Sequence, residues 1–311
     1  MTELPGGIRR LTFPLPLRLR HVHCYLLPGD DGWTLVDTGL GLPDAAERWE
    51  PVLAELDAPV VRIVITHFHP DHAGGGEDAH ALTGARTFQG ARDRQQSERV
   101  WGSPDWSERL AAYLVGHGLP VRLAEELRHE ARLFAPFIRP VRNPEPLVQG
   151  DVVDGWEVLE LPGHTDGHIC LLRDGVLVAG DHLLEKISPT VGLYPDARPD
   201  PLGDYLGSLE RTIELAPRVA LPGHNDPVRD PAERARELIE HHRLRLDETV
   251  AAVGREPRNA YEVSLELFGT DLDASERRFA VAETLAHLER LILEGRARRA
   301  GDDSGVSYTA I

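Results

Sequence analysis

The chain is short of cysteine, lysine and positive charge, and it has no long apolar run. Of 311 residues only Cys24 and Cys170 carry thiols, which excludes a disulfide framework and points to a reducing cytoplasm. Lys186 is the only lysine among 34 basic residues, so most lysine-based chemistry is excluded. No apolar stretch approaches the ~18 residues that a spanning helix needs, and no membrane association is expected. The first twenty residues are broken by Pro5, Pro14 and Pro16 and carry Arg9, Arg10, Arg18 and Arg20. They lack the apolar core and small-residue cleavage site of a signal peptide. Acidic residues number 51, giving a net charge of −17, which disfavours attraction of the whole molecule to nucleic acid or anionic membrane.

What is present suits a folded α/β protein. At 41 % hydrophobic and 27 % charged, the composition supports a sizeable core, and the length suits two domains. Residues 21–27 and 33–36 read as a hairpin around Pro28-Gly29-Asp30-Asp31-Gly32. A helix is predicted over 43–56 and a buried strand over 60–65, with strand–helix alternation continuing to about 86. Strands return at 156–161, 168–172, 176–179 and 219–221, with a helix near 204–215. Residues 231–253 read as a long helix with Asp230 as its N-cap.

Two stretches stand apart. Residues 86–142 form a helical insert that holds Trp101, Trp106, Phe134 and Phe137. Ten arginines there meet seven acidic residues, a local net charge of +3. Helices at 261–268 and 275–294, followed by a hairpin from Gly295 to Tyr308, suggest a winged-helix-like end domain. The expected domains are 1–230 and 231–311.

The histidines carry the chemistry. Fifteen are present, and the densest group is Thr66-His67-Phe68-His69-Pro70-Asp71-His72, directly after the buried strand. Such strand ends are where α/β folds expose ligand-binding loops. Pro70 argues against a regular helix here, so a tight loop is predicted to bring the four side chains together. Gly163-His164-Thr165-Asp166-Gly167-His168, Gly180-Asp181-His182 and Leu221-Pro222-Gly223-His224 follow at further strand ends. Imidazole and carboxylate without thiolate suit a borderline divalent ion. His80, His117, His129, His241, His242 and His287 read as structural, and His21 and His23 as packing or bracing residues.

His67-x-His69-x-Asp71-His72 followed by His164, Asp181 and His224 resembles the metal motifs of the metallo-β-lactamase superfamily, over roughly residues 8–245. Val36-Asp37-Thr38-Gly39 is similar to that family's Asp-Thr-Gly turn. The resemblance implies an α/β fold: an αββα sandwich with two zinc ions at one edge, iron or manganese being possible in their place. Asp181 stands where many lactamases use cysteine, which is closer to the hydroxyacylglutathione-hydrolase type. By that resemblance His67, His69 and His164 hold the first ion, Asp71, His72 and His224 the second, and Asp181 bridges them. Asp37 braces the metal loop without touching an ion, and His168 and His182 are bracing or structural. His23 stands where related sequences often have Asn.

The implied reaction is hydrolysis by a hydroxide bridging two ions, with Asp71 and Asp181 as the catalytic carboxylates. A small-molecule thioester, ester or lactone is the favoured substrate. The helical end also resembles that of lactamase-like proteins which include a single-strand endoribonuclease and acyl-carrier-protein thioesterases. Residues 225–311 hold 13 arginines against 18 acidic residues, so nucleic acid is an unexpected partner. A structural or homodimerising role is expected for that end, and truncation after Val253 is expected to spare the chemistry unless the core needs it. An iron-dependent oxidoreductase of the same fold is a third possibility. In the insert, Trp101, Trp106, Phe134 and Phe137 are candidates for an acyl wall, and Arg92, Arg94, Arg99 or Arg139 for contacts to an anionic handle, the alternative being core aromatics beside a solvated arginine face. Tyr194, in the segment 188–195 after Asp181, is a candidate hydroxyl donor.

Overall fold

The computed structural model describes residues 1–16, 19–302 and 305–311. Arg18 and the tip of the expected terminal hairpin, 303–304, lie outside the described residues. Two sheets form the centre. The first runs in chain order through β1 (Thr2–Glu3), β2 (Arg9–Pro14), β3 (His21–Pro28), β4 (Trp33–Val36), β5 (Val60–Ile65), β6 (Arg86–Gly90) and β7 (Glu145–Leu147). It is antiparallel as far as β4 and parallel from β4 to β7. The second has the order β12-β11-β10-β9-β8, built from β8 (Val152–Val153), β9 (Trp156–Glu160), β10 (Ile169–Arg173), β11 (Val176–Gly180) and β12 (Val219–Pro222).

Tyr25, Leu27, Val36 and Val64 of the first sheet pack against Trp156, Val158, Ile169, Leu171 and Val178 of the second. Both sheets are covered on their outer faces, so β3 and β5 read as nearly continuous apolar runs. The first sheet is covered by α1 (Ala45–Ala54) and α3 (Gly76–Thr83), with Trp49 and Ala79 in its core. Over the second lie α7 (Pro201–Leu215) and α8 (Pro231–Val253), through Leu202, Leu209, Ala235 and Leu238. The result is the αββα layering implied by the motifs. Asp230 caps α8 as predicted, accepting from the Glu233 N–H at 3.0 Å.

Two expectations need correcting. The predicted loop through the histidine motif contains a helical turn, α2 (Pro70–Ala73), so Asp71 and His72 project from a helix. Proline breaks helix interiors, yet at the first helical position its missing N–H costs nothing. The insert also begins later than 86, because residues 86–90 are strand β6, paired with β5 inside the first sheet.

The remaining insert helices are α4 (Ala91–Trp101), α5 (Trp106–Gly116) and α6 (Val121–Phe134). The end of the chain adds α9 (Ala260–Phe268), α10 (Ala274–Leu293), β13 (Ala297–Asp302) and β14 (Gly305–Ala310). These two regions share one core: Leu110, Leu114, Leu123 and Leu127 pack with Val253, Val263, Leu285, Leu288 and Tyr308. Arg277, 1 % exposed, is fixed inside this unit by the Ser264 carbonyl and the Gly269 carbonyl at the end of α9. No helix of the described residues is long and apolar enough to cross a membrane.

Sharing a core makes the end of the chain part of the fold's support. A chain ending at Val253 is expected to be insoluble or to lose its cooperative melt, because the α5–α6 face would be stripped. Leu285 is fully buried, and Leu285→Ala should lower stability by about 2–5 kcal/mol in denaturant titrations. A soluble truncated chain with unchanged melting would contradict this.

Candidate metal centre

Every candidate ligand sits just beyond a strand or on a turn beside one, at one edge of the sandwich. Thr66 and His67 follow β5, Asp181 follows β11, and Gly223 and His224 follow β12. His164 lies on the turn between β9 and β10. The edge is tied together by backbone bonds from Gly223 N–H to the Gly180 carbonyl (2.8 Å) and from His23 N–H to the Gly223 carbonyl (2.7 Å). Ile169 N–H donates across the sheets to the Thr66 carbonyl at 2.9 Å.

The hydrogen bonds assign a tautomer to four imidazoles. His164 Nδ1 donates to the Thr190 carbonyl at 2.8 Å, and His224 Nδ1 to the His21 carbonyl at 2.7 Å. His72 Nδ1 donates to Asp37 Oδ2 at 2.8 Å. Thr66 Oγ1 donates to Asp37 (2.9 Å) and so accepts from His67 Nδ1 at 3.0 Å. In each ring Nδ1 is occupied, which leaves a bare lone pair on Nε2. This is how metal-binding histidines are held, with the second nitrogen bonded to a carbonyl or carboxylate.

Those four Nε2 atoms are buried and have no hydrogen-bond partner among the described residues, and neither has Asp181 Oδ1. They converge. Asp181 Oδ1 is 3.4 Å from His72 Nε2, while its Oδ2 is 3.4 Å from His224 Nε2 and 3.7 Å from His164 Nε2. Asp71 Oδ2 lies 3.3 Å from His224 Nε2. Three sets have their donor atoms within 4.8 Å of one another: His67, His69 and His164; His67, His72 and Asp181; and Asp71, His72 and His224. Orphaned lone pairs of this kind are costly unless a cation meets them, and the donor set fits divalent metal.

The electrostatics divide the site. Burial pushes His67 well below its ordinary value and His69 down to about 3; it also lowers His164, against the pull of Asp181. His224 behaves oppositely: burial would lower it, but Asp181 and Asp71 raise it to about 10. His72 is raised in the same way, by Asp181, Asp37 and Asp71 against burial. These carboxylates favour positive charge at the two rings, which a divalent cation on Nε2 would supply in place of a proton.

Other predicted residues fall into place around the cluster. Asp37, 2 % exposed, accepts from Thr66 N–H (2.8 Å), Thr66 Oγ1 and His72. His168 Nε2 accepts from the Asp181 N–H at 3.2 Å, and its ring stacks on His67. His182 bonds Thr212 Oγ1 at 2.7 Å, away from the donor cluster. His23 lies between Thr12 and the Asn225 carbonyl. Sequence reasoning missed the acceptor carbonyls of Thr190 and His21, because any residue supplies a carbonyl.

The insert's aromatic residues do not form one wall. Trp101 donates its indole N–H to the Phe68 carbonyl at 2.8 Å, beside the ligands. Trp106 packs on the shared helical core, with the Arg109 guanidinium 5.1 Å from its ring centre. Phe137 packs near Leu40 and Leu42 instead. Arg139 is engaged by Asp78 and the Gly41 carbonyl, and Arg94 faces Glu98 at 3.6 Å. Arg92 and Arg99 are exposed and form no ion pair among the described residues. Tyr194 packs against the shared core, next to α10, and its hydroxyl makes no hydrogen bond among the described residues.

Comparison with known proteins agrees with this geometry. The model of the metallo-beta-lactamase superfamily matches residues 17–224, and that of the metallo-beta-lactamase-like C-terminal domain matches 246–309. The probable metallo-hydrolase YqjP of Bacillus subtilis is 29 % identical over 299 residues, covering 90 % of this chain and 91 % of its own. An atrochrysone carboxyl ACP thioesterase of Claviceps purpurea is 21 % identical over 264 residues, 79 % of this chain and 66 % of its own. A solved metallo-beta-lactamase family protein of Thermus thermophilus superposes with a TM-score of 0.85 at 40 % identity, over 99 % of both chains. With its motifs, its layering and both family regions in agreement, the chain belongs to the metallo-beta-lactamase superfamily.

Proposed function

We propose that the protein is a hydrolase with two zinc ions per chain, acting on a small-molecule thioester, ester or lactone. The convergence of four bare, buried imidazole nitrogens on Asp181 and Asp71 carries this reading. His67, His69 and His164 would hold one ion, Asp71, His72 and His224 the other, and Asp181 would bridge them. Such ions, when bound, bring the pKa of water toward ~7 and polarise an acyl oxygen. No side-chain nucleophile is then needed, which fits an edge that presents only imidazoles and carboxylates. Asp71, whose side chain is 13 % exposed, borders solvent and orients the attacking water. The imidazole and carboxylate donors suit zinc, and the same donors would also take iron or manganese.

The acyl preference rests on charge and on relatives. The chain is acidic overall, which suits a small substrate better than RNA, and one relative is named as a thioesterase. Arg92 opens α4 against the His164 turn, where Asp166 feels its charge. It is the insert arginine best placed for an anionic carrier such as a phosphopantetheine or glutathione moiety. Tyr194 offers its hydroxyl to the acyl group.

Elemental analysis after zinc-supplemented purification is expected to give two ions per chain; one or none in folded protein would overturn the binuclear reading. Asp181→Ala should keep the fold by circular dichroism and lose at least ~10³-fold in turnover, roughly 4 kcal/mol of barrier. A Cβ on Gly223 would lie 2.4 Å from His72 Cε1 and 2.6 Å from Asp181 Oδ1. Gly223→Ala should therefore deplete the metal while the protein stays folded.

Substrate class is tested with acyl-thioesters, lactones, neutral esters and labelled RNA side by side. Arg92→Ala should raise KM for anionic thioesters with kcat nearly unchanged, and leave neutral esters alone. Equal losses on charged and neutral substrates would remove the anionic handle. RNA cleavage without thioesterase activity would replace the acyl reading.

A further inference from the structure

Phe68 stands between two candidate ligands, His67 and His69, and both of its backbone polar groups are taken by one helix. Its N–H donates to Asp93 Oδ2 at 2.8 Å, and its carbonyl accepts from Trp101 Nε1 at 2.8 Å. Asp93 and Trp101 lie on the first and last turns of α4. Asp93 reaches further. Its Oδ2 also accepts from Thr165 Oγ1 at 3.0 Å, and its Oδ1 from Gly167 N–H at 2.9 Å.

An acidic residue in the first turn of a helix ordinarily complements that helix's own free N–H groups. Here the carboxylate turns to two other segments, and the residue is wholly buried. The contact is close: a Cβ on Gly167 would meet Asp93 N at 2.4 Å and Arg92 Cβ at 2.7 Å. One carboxylate thus joins the turn that carries His67 and His69 to the turn that carries His164. Those three histidines form one of the candidate metal groups. Among the described residues Asp93 makes no hydrogen bond to residues 70–73, which follow Phe68 and carry Asp71 and His72, or to the turn of His224. Asp37 holds His72 directly and reaches His67 through Thr66, but makes no hydrogen bond to the His164 turn among the described residues.

We propose that Asp93 is a positioning residue that sets the gap between His67/His69 and His164, with Trp101 holding the other side of Phe68. This rests on the binuclear metal reading above. Losing the clamp lets the two turns separate, so the ion at His67, His69 and His164 is weakened while the ion at Asp71, His72 and His224 is not.

The test is cobalt(II) titration of the metal-depleted full chain, followed by visible absorption and by competition with a chelator. His164→Ala and His224→Ala serve as references for loss of either group. Wild type should take up two ions. Asp93→Ala should bind one of them about 10–100-fold more weakly, the range found when a ligand's supporting partner is removed. Its spectrum at one equivalent should match that of His164→Ala and differ from that of His224→Ala. Asp93→Asn keeps one acceptor and should fall between, and Trp101→Phe should shift the same ion by less; these two decide the matter if the alanine variant does not fold. Equal weakening of both ions, in step with a lower melting temperature, would reduce Asp93 to a fold-stabilising residue and overturn the proposal. Unchanged binding of both ions would do the same. Wild type taking up fewer than two ions would instead overturn the binuclear reading itself.

Discussion

Imidazole lone pairs and carboxylates repel one another, and in this molecule they are gathered at an edge where most of their donor atoms are shut off from water. Each buried polar atom without a partner costs about 1–3 kcal/mol, and His67, His72, His164 and His224 each contribute one, with Asp181 Oδ1 beside them. A chain tolerates that only if the lone pairs are held rigidly and a cation satisfies them. The rest of the edge follows from the requirement. Nδ1 of each ring must be occupied, so backbone carbonyls at Thr190 and His21 and the pair Asp37–Thr66 are built around the cluster. Rings tethered at one nitrogen can aim the other only if their tethers are fixed, which is why the ligands follow strand ends rather than sit on long loops.

Much of this was legible in the sequence because metal ligands are few in kind and their spacing is local. Thr66 to His72 contains four donors within six residues, and strand patterning placed each remaining donor at a chain reversal. The long helix from Pro231 announced itself through Asp230 and the proline after it. Other features carried no local signal. Pro70 argued against helix through the motif, but proline at a helix's first position is permitted, and a single turn sufficed to aim Asp71 and His72. Nothing in the sequence sets Asp93 apart from the other acids of the insert; only the fold shows which turns its oxygens face. Strand β6 lies where the strand–helix alternation is expected to end, and its five residues are too short a pattern to mark a strand by themselves.

The expected boundary between residues 230 and 231 falls at the start of α8, and packing crosses it. α8 begins on the second sheet through Leu238 and ends among the insert helices through Val253. α10 is more closely involved with the site than its distance in sequence suggests, because Leu193 N–H donates to the Ala282 carbonyl at 2.9 Å. The segment from Ser188 to Tyr194 is therefore held at both ends. Thr190 orients His164 at the metal edge, and Leu193 and Tyr194 rest on the helical unit. A terminal region serving this purpose needs no basic face, and the acidic balance of residues 225–311 is consistent with that role.

The candidate ligands are not all held in the same way. His72 and His224 are held from the sheets, through Asp37 and the His21 carbonyl, whereas the turns of His67, His69 and His164 are also tied to α4 through Asp93. α4 packs on β6 and β7 of the first sheet, while the Ser188–Tyr194 segment rests on the shared helical core. Trp101 shows the constraint that remains. Its indole is committed to Phe68, so it can offer a substrate only its ring face, whereas Arg92, exposed at the start of α4, and the Tyr194 hydroxyl, bonded to no protein group among the described residues, are at liberty to meet one. On the acyl-hydrolase reading proposed above, selectivity is expected at Arg92 rather than at the aromatic residues of the insert.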